Sequence, residues 1–336
     1  MSISRRRIIQ SLPALVCSAG LGMIGQAKGA QVFTMQATTS ASDDLDIEWL
    51  TLLKQGTERA SGGRIKVNVY PASQLGSTQT MIEGVVMGTL EIAVNASGTY
   101  EGLDPRFAAL AVPGIIRSMT QGASVLTDAD VRRRLGSIAR DKDVEVITAL
   151  THSPVGIVSR RPITRLTDLK GMKIRVPGSA LIIEQLKTLG ASPVAMSLGE
   201  VLPAFQNGTI DGVYAGTTIF SALKYFDVAK NLTLLPETFI VIVALANSAF
   251  MKSLGSLEAV VRDEARKADV TGAAWGEADV TKERGVWESN GGHTLTLPAA
   301  DAKLYLDTVV PAALRHLTAD ARADYDALKA VSAKYS

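Results

Sequence analysis

The chain has 336 residues, of which 46% are hydrophobic and 20% charged, enough apolar material for two packed domains and too much for a disordered or fibrous chain. Lys and Arg number 35 against 33 Asp and Glu, a formal net charge of +2, and no long basic run or aromatic-basic interleaving appears. That balance speaks against a nucleic-acid partner.

Residues 1–29, "MSISRRRIIQSLPALVCSAGLGMIGQAKG", read as an export signal: Arg5, Arg6 and Arg7, then an apolar stretch to about Gly25, then small residues. Ser4, Arg5, Arg6 and Ile8-Ile9 suit the twin-arginine route, with Sec export as the alternative. Cleavage fits after Ala27 or after Gly29, and the second is preferred. Removing this segment takes away four bases and no acid, so the mature chain is slightly acidic. It also removes Cys17, the single cysteine, so no disulfide, redox pair or thiolate metal site is expected. Past residue 30 the longest apolar candidate, "FIVIVALA" at 239–246, falls well short of the roughly 18 residues of a membrane span. A soluble, exported protein is expected.

Along the mature chain helical and strand periods alternate. "QVFTMQ" reads as a strand, "LDIEWLTLLKQGTERASGG" as an amphipathic helix stopped at Gly62-Gly63, and "RIKVNVYP" as a half-buried strand. "STQTMIEGVVMG" is a helix ended by Gly88, and "LEIAVN" a third strand. Further on, "MKIRVP", "SALIIEQLKTLG", "ASPVAM", "GEVLPAFQNG" and "TIDGVY" repeat the device, with Ser179 as cap and Gly190 as stop. This order predicts an α/β protein of two lobes, each a mixed or parallel sheet flanked by helices. "GTLEIAV" at 88–94 echoes "GTIDGVY" at 208–214, and "RIKVNVYPAS" echoes "MKIRVPGS". The unequal spacing of these echoes implies a strand and helix inserted in one copy.

"EVITALTHSPVGIVSR" and "PETFIVIVALANS" are β-rich with little turn punctuation and read as the crossings between lobes. Residues 256–289 contain no proline and read as one long helix, and the tail reads as helical with a break at Pro311. The expected division is lobe I at 30–152 plus about 241–280, and lobe II at 153–240 plus about 281–336.

Arg175 stands at the outgoing end of the "KIRV" strand, ahead of Pro177 and Ser179. A guanidinium there offers a planar fork matched to a carboxylate, or an ordinary ion pair with Glu184 or Asp211. Thr38, Thr39 and Ser40 follow the first strand, and Asn95, Ser97 and Tyr100 follow the "LEIAV" strand. Tyr214, Thr217 and Thr218 follow the matching strand of the second lobe. All are crevice positions of an α/β lobe, with capping and linker roles as the plain alternative. His152 lies at the first crossing, either reaching the cleft or serving the hinge. Gly20, Gly22 and Gly25 match a dinucleotide fingerprint only inside the export signal, and no Gly-x-Ser-x-Gly elbow occurs. His152, His293 and His316 have no metal-site spacing, and Asp43-Asp44 reads as cap and solvent-face charge. No enzyme activity, cofactor or metal is expected.

"RPITRLTDLKGMKIRVPGS", "LGASPVAMSLGEVLPAFQNGTIDGVY", "YPASQLGSTQTMIEGVVMGTLEIAV" and "LAVPGII" together are similar to the substrate-binding proteins of tripartite ATP-independent periplasmic (TRAP) transporters, over nearly all of residues 31–250. The resemblance implies a two-lobed periplasmic clamshell that closes on an organic acid and delivers it to a membrane permease. It makes Arg175 the carboxylate partner. Departures are informative: a second arginine of the family falls at Val155, a polar position becomes Ala215, and an aromatic wall position becomes Leu198. These imply a less charged cleft and a monocarboxylate ligand, with a dicarboxylate still open. A monomer is expected. The same clamshell would serve an ATP-driven transporter or a sensor, and the neighbouring transport genes would separate the readings.

Overall fold

The structure, a computed structural model, describes residues 31–41 and 43–335. The export-signal segment, Cys17 and Ser42 lie outside the described residues.

The first unit runs β1 (Phe33–Thr39), α1 (Leu45–Ala60), β2 (Ile65–Tyr70), α2 (Thr78–Met87) and β3 (Ile92–Ala96). Helix α1 starts at Asp44, whose carboxylate accepts from the Asp46 N–H, and buries Leu45, Trp49, Leu50 and Leu53 along one face. Full burial of each such side chain contributes about 1.5–3 kcal/mol. Strand β2 alternates buried Ile65 and Val67 with exposed Lys66 and Asn68, as a sheet with one solvated face requires. Ser77 caps α2, and Gly88 ends it at φ 74°, a conformation that favours glycine.

Short 3₁₀ turns at Ser97–Tyr100 and Pro105–Ala111, then α3 (Met119–Thr127) and α4 (Ala129–Leu135), lead to β4 (Val144–Ser159). The second unit is β5 (Lys173–Val176), α5 (Ala180–Thr188), β6 (Ser192–Ala195), α6 (Leu198–Gln206) and β7 (Gly212–Gly216). It is followed by α7 (Thr217–Ala222), β8 (Asn231–Asn247), α8 (Ser248–Ser253), α9 (Glu258–Ser289), β9 (His293–Thr296), α10 (Ala299–His316) and α11 (Ala319–Ser332).

The strands pair in the order β2-β1-β3-β8-β4-β7-β5-β6, with β9 on β8. Each unit is internally parallel and places its first strand in the middle, β2-β1-β3 and β6-β5-β7. Each then meets a long strand antiparallel: β3 on β8 and β7 on β4. Because β4 and β8 run unbroken through both halves and pair with each other, hydrogen bonding links the two units into one mixed sheet. The inserted strand and helix expected from the echoes do not exist. "GTLEIAV" and "GTIDGVY" do lead into equivalent third strands, but "RIKVNVY" is a second strand and "MKIRV" a first strand, so their unequal spacing compares different parts of one repeat.

Three clusters of buried side chains hold these layers. One packs α1 and the start of α9 onto the first unit through Trp49, Leu53, Ile92, Val261 and Ala265. Another packs Phe205, Phe220, Tyr225 and Trp287 beside the second. The third covers the opposite face with Phe107, Val125, Ile157, Ile174 and Leu181 among others. Helix α9, about 48 Å long at 1.5 Å per residue, therefore touches both units, with Val261 in one cluster and Trp287 in another.

The tail departs from expectation. Pro311 lies inside α10, and the helix ends instead at Leu317, where Thr318 caps α11. Pro311 cannot donate to the turn before it, yet packing of the buried Tyr305, Val309, Ala312 and Ala313 carries the helix through. Helix α10 packs on α5, whereas α11 packs on residues 105–111, α3 and α4 and accepts Arg106 and Arg134 at Asp324. Helix α10 therefore lies against the second unit, and α11 against the segment that follows the first.

Candidate functional site

A cavity of about 310 Å³ opens where the carboxyl ends of both units face each other across β4 and β8. The first unit supplies Ser40 and Ala41 after β1, Asp44 and Asp46 at the start of α1, Thr78 and Gln79 at the start of α2, and Ala96 and Thr99 at β3. The second supplies Arg175, Pro177 and Gly178, the β6–α6 residues Ala195 to Leu198, and Tyr214 to Gly216 with Ile219. The crossing strands add His152, Ile240 and Ile242. Outgoing strand ends and incoming helix starts are where an α/β sheet leaves backbone donors free for a ligand.

Arg175 is buried in this wall. Its Nε and Nη2 donate to the Met196 carbonyl at 3.1 and 2.9 Å, and Nη1 donates to the Tyr214 carbonyl at 3.3 Å. One N–H on each of Nη1 and Nη2 remains for a further acceptor. Among the described residues no carboxylate lies within 4.0 Å of it; Asp211, one of the two weighed as partners, accepts the Lys173 N–H instead. Burial pulls the guanidinium pKa down to about 10, opposed by Tyr225, so it stays cationic at neutral pH.

Across the cavity stands a group of opposite character. His152 Nε2 is 3.2 Å from Asp44 Oδ2, and its Nδ1 shares a hydrogen bond with Ser153 Oγ at 2.9 Å. Asp46 Oδ2 accepts from Thr39 Oγ1 at 2.9 Å, while Asp46 Oδ1 is buried with no hydrogen-bond partner. Burial first, then the neighbouring Asp44, pushes the Asp46 carboxyl up to about 8, against His152 and Thr39, which favour its ionised form. Burial disfavours the imidazolium of His152, but Asp44, Asp46 and Asp279 outweigh it and raise its pKa. One ligand atom from each of Asp44, Asp46 and His152 lies within 4.8 Å of the others. Reasoning from histidine spacing alone overlooks this cluster, because two of its members belong to a helix start that reads as ordinary capping.

Of the residues singled out in the sequence, the structure brings Ser40, His152, Arg175, Leu198 and Tyr214 to the wall. The others stand behind it. Thr38 Oγ1 donates to the Tyr70 carbonyl, and Thr39 holds Asp46. Asn95 Oδ1 accepts from Ser40 Oγ at 3.0 Å, and the Tyr100 hydroxyl donates to the Ala93 carbonyl at 2.9 Å. Ser97 is buried beside Pro177 and Ile182, Thr217 is half-buried at the start of α7, and Thr218 is buried with its hydroxyl unpartnered. Val155 pairs with Gly216 inside the sheet, whereas Ala215 lines the cavity as an apolar wall. A Cβ on Gly216 would meet Ser153 Oγ and stand 3.3 Å from His152 Nδ1, so glycine is what lets β7 approach the histidine.

Two equivalent units, joined by shared crossing strands, thus enclose a polar-ended cavity between their facing carboxyl ends. Residues 36–304 match the family described as bacterial extracellular solute-binding protein, family 7 (DctP), and the chain belongs to that family. It is 32% identical over 206 residues to the solute-binding protein RD1_1052 of Roseobacter denitrificans, covering 61% of this chain and 62% of that protein, so the match spans less than two thirds of that relative. It is 28% identical over 246 residues to the 2,3-diketo-L-gulonate-binding periplasmic protein YiaO of Escherichia coli, 72% of this chain and 74% of that one. Among solved structures, a TRAP periplasmic solute-binding protein from Desulfovibrio salexigens with bound orotic acid superimposes with TM-score 0.85 at 22% identity, covering 90% of this chain and all of that one. No helix among the described residues is long and apolar enough to cross a membrane.

Proposed function

We propose that this protein is the receptor of a TRAP transporter, binding an organic acid with one carboxylate in the cavity and delivering it to a membrane permease. The observation that carries the reading is Arg175: a buried cation in the cavity wall, with no acidic partner among the described residues and a donor left on each terminal nitrogen. A buried charge without a counter-ion is costly, and a ligand carboxylate accepting both N–H groups offsets that cost. Each charge-assisted bond contributes about 1.5–3 kcal/mol. The acid-binding relatives support the ligand class, because YiaO is named for a sugar acid and the Desulfovibrio salexigens protein holds orotic acid.

In this reading residues 30–152 with the first part of α9 form one lobe, the second unit with α10 forms the other, and α11 returns to the first. Closure turns on β4 and β8. Register shifts at Val146/Thr148, Thr151/Ser153 and Pro154/Gly156 support that assignment, since such irregularities are where long strands bend. Contacts from Glu101 to Ser179 Oγ at 2.8 Å, to the Leu181 N–H at 3.2 Å and to His316 Nε2 at 2.6 Å are ones that opening would break. Ligand contacts to both units shift the balance towards the closed form. The periplasm is the compartment in which a receptor of this family meets its ligand.

A thermal-shift screen of the purified protein against mono- and dicarboxylates, sugar acids, neutral sugars and amines tests the reading. Stabilisation by carboxylates that disappears in Arg175→Ala is the expected result. Equal stabilisation of both proteins by neutral sugars or amines would overturn it.

A further inference from the structure

We propose that the cavity selects a monocarboxylate with a hydrocarbon body, aromatic or branched, and that Leu198, Ile219 and Ile240 are the residues that favour it over sugar acids and dicarboxylates. The inference rests on the organic-acid reading of Arg175 and names the ligand class within it.

Two observations carry it. The first is where the apolar wall comes from. Ala41 and Ala96 belong to the first unit, Leu198, Ala215 and Ile219 to the second unit and the helix after it, and Ile240 to β8. A ligand held at Arg175 therefore meets apolar side chains from every part that builds the cavity. Ile219 shows this best. It is half-buried on α7, lines the cavity and belongs to none of the three clusters of buried side chains, so the protein supplies little of its own to cover it. A hydrocarbon body lying on Ile219 takes that surface out of water, which is favourable in proportion to the area covered.

The second observation is that the polar side chains of the wall are mostly occupied. Ser40 Oγ donates to Asn95 Oδ1 at 3.0 Å and Thr99 Oγ1 to the Ala96 carbonyl at 2.7 Å, which uses the one donor of each hydroxyl. His152 meets Asp44 Oδ2 and Ser153 Oγ through its two ring nitrogens, and Asp44 Oδ1 accepts the Asp46 N–H at 3.0 Å. Asp46 Oδ2 takes Thr39, and its Oδ1 is buried away from the cavity. With Asp46 raised to about 8 and so protonated at pH 7, Asp44 and the raised His152 offset each other, and the group brings no net charge to the wall. Gln79 and Ser197 are exposed, so water serves them. That leaves the hydroxyl of the half-buried Thr78, which can serve a single polar substituent.

Such a wall selects by what it withholds. A sugar acid carries a hydroxyl on nearly every carbon, and each one placed against Ala215, Ile219 or Ile240 loses its water without a replacement partner. Among the described residues Arg175 is the one arginine or lysine of the wall, so a second carboxylate has no matching cation to meet.

The test is calorimetric titration of the purified protein with phenylacetate, 3-methylbutanoate, gluconate and succinate, with Ile219→Asn and Arg175→Ala run in parallel. Expected is binding of phenylacetate or 3-methylbutanoate at least about tenfold tighter than of gluconate and succinate, lost in Arg175→Ala. Ile219→Asn exchanges hydrocarbon for an amide and should lower that ratio at least about fivefold, while its melting temperature without ligand stays within about 3 °C of the parent. Ile219→Ala, which only trims the wall, gives the same readout should the asparagine variant fail to fold. Gluconate or succinate binding as tightly as the better apolar acid, and lost in Arg175→Ala, would overturn this inference and leave Arg175's role standing. So would an Ile219 variant that keeps the parent's ratio. If none of the four acids binds, the organic-acid reading falls, and this inference with it.

Discussion

The two β-α-β-α-β units share one strand order and present opposite chemistry at the same topological place. Where the first strand of the first unit hands over to its helix stand Asp44 and Asp46; where the first strand of the second unit ends stands Arg175. The fold brings these ends together in the wall of one cavity. Most of the buried aliphatic residues that set the sheet, Ile65, Val67 and Ile92 among them, take no part in the wall, although Ala215 and Ile242 serve both.

Removing the cationic end breaks the comparison most severely. Arg175→Ala is expected to weaken binding of the ligand acid about a thousandfold, a loss of roughly 4 kcal/mol, measured by calorimetry. Arg175→Lys recovers only part of it, because an ammonium lacks the two-pronged donor geometry. Retention of affinity within about threefold in the alanine variant would end the carboxylate role.

Crowding the opposite end comes next. Gly216→Ala places a methyl against Ser153 and His152, and a strand paired on both sides has little room to yield. A loss of about 1–3 kcal/mol in urea unfolding is expected, with weakened binding. Unchanged stability would show that β7 and β4 adjust more freely than their register suggests.

Glu101 joins the units without entering the cavity. It accepts from Ser179 Oγ and the Leu181 N–H at the start of α5 and meets His316 on α10. Glu101→Ala should cost about 0.5–2 kcal/mol of stability and lower affinity several-fold through the closed form alone. The association rate constant should change less than the dissociation rate constant in stopped-flow measurements.

The smallest effect is on pH dependence without ligand. Asp46 is raised from 3.8 to about 8 and His152 is raised above 6.5, so the folded state holds protons that the unfolded chain releases. Stability from Asp46 is complete below its unfolded value and is lost as pH climbs towards 8; that from His152 is lost as pH rises through its folded value. The buried Asp269 and Asp279 act in the same direction. Glu58, Asp141 and Asp168 are lowered and already ionised in this window, so they add no slope. The melting temperature should fall between about pH 6 and pH 8, and Asp46→Asn should flatten the fall. A rise over that range would contradict the assignment.

Most of the fold was legible because its signals are local. Alternation in "IKVNVY", the stop at Gly88, the cap at Ser179 and the proline-free run into α9 each match the element observed. Strand ends were harder, and they decide the site. The first strand was expected to finish with "QVFTMQ", but β1 continues to Thr39, so Thr38 and Thr39 sit within the sheet and not past its edge. Asn95 is likewise inside β3, which runs to Ala96. Arg175 was readable because a short strand fixes where its end lies. Asp46 was not, since a first-turn acid looks the same in sequence whether it faces water or a cavity. Pro311 misled because tertiary packing overrides a local helix breaker.

The most direct measurement is a crystal structure of the protein with its tightest-binding acid. The account predicts the ligand carboxylate within about 3 Å of the Arg175 terminal nitrogens. A ligand whose carboxylate lies elsewhere in the cavity, with Arg175 bonded only to the Met196 and Tyr214 carbonyls, would contradict it.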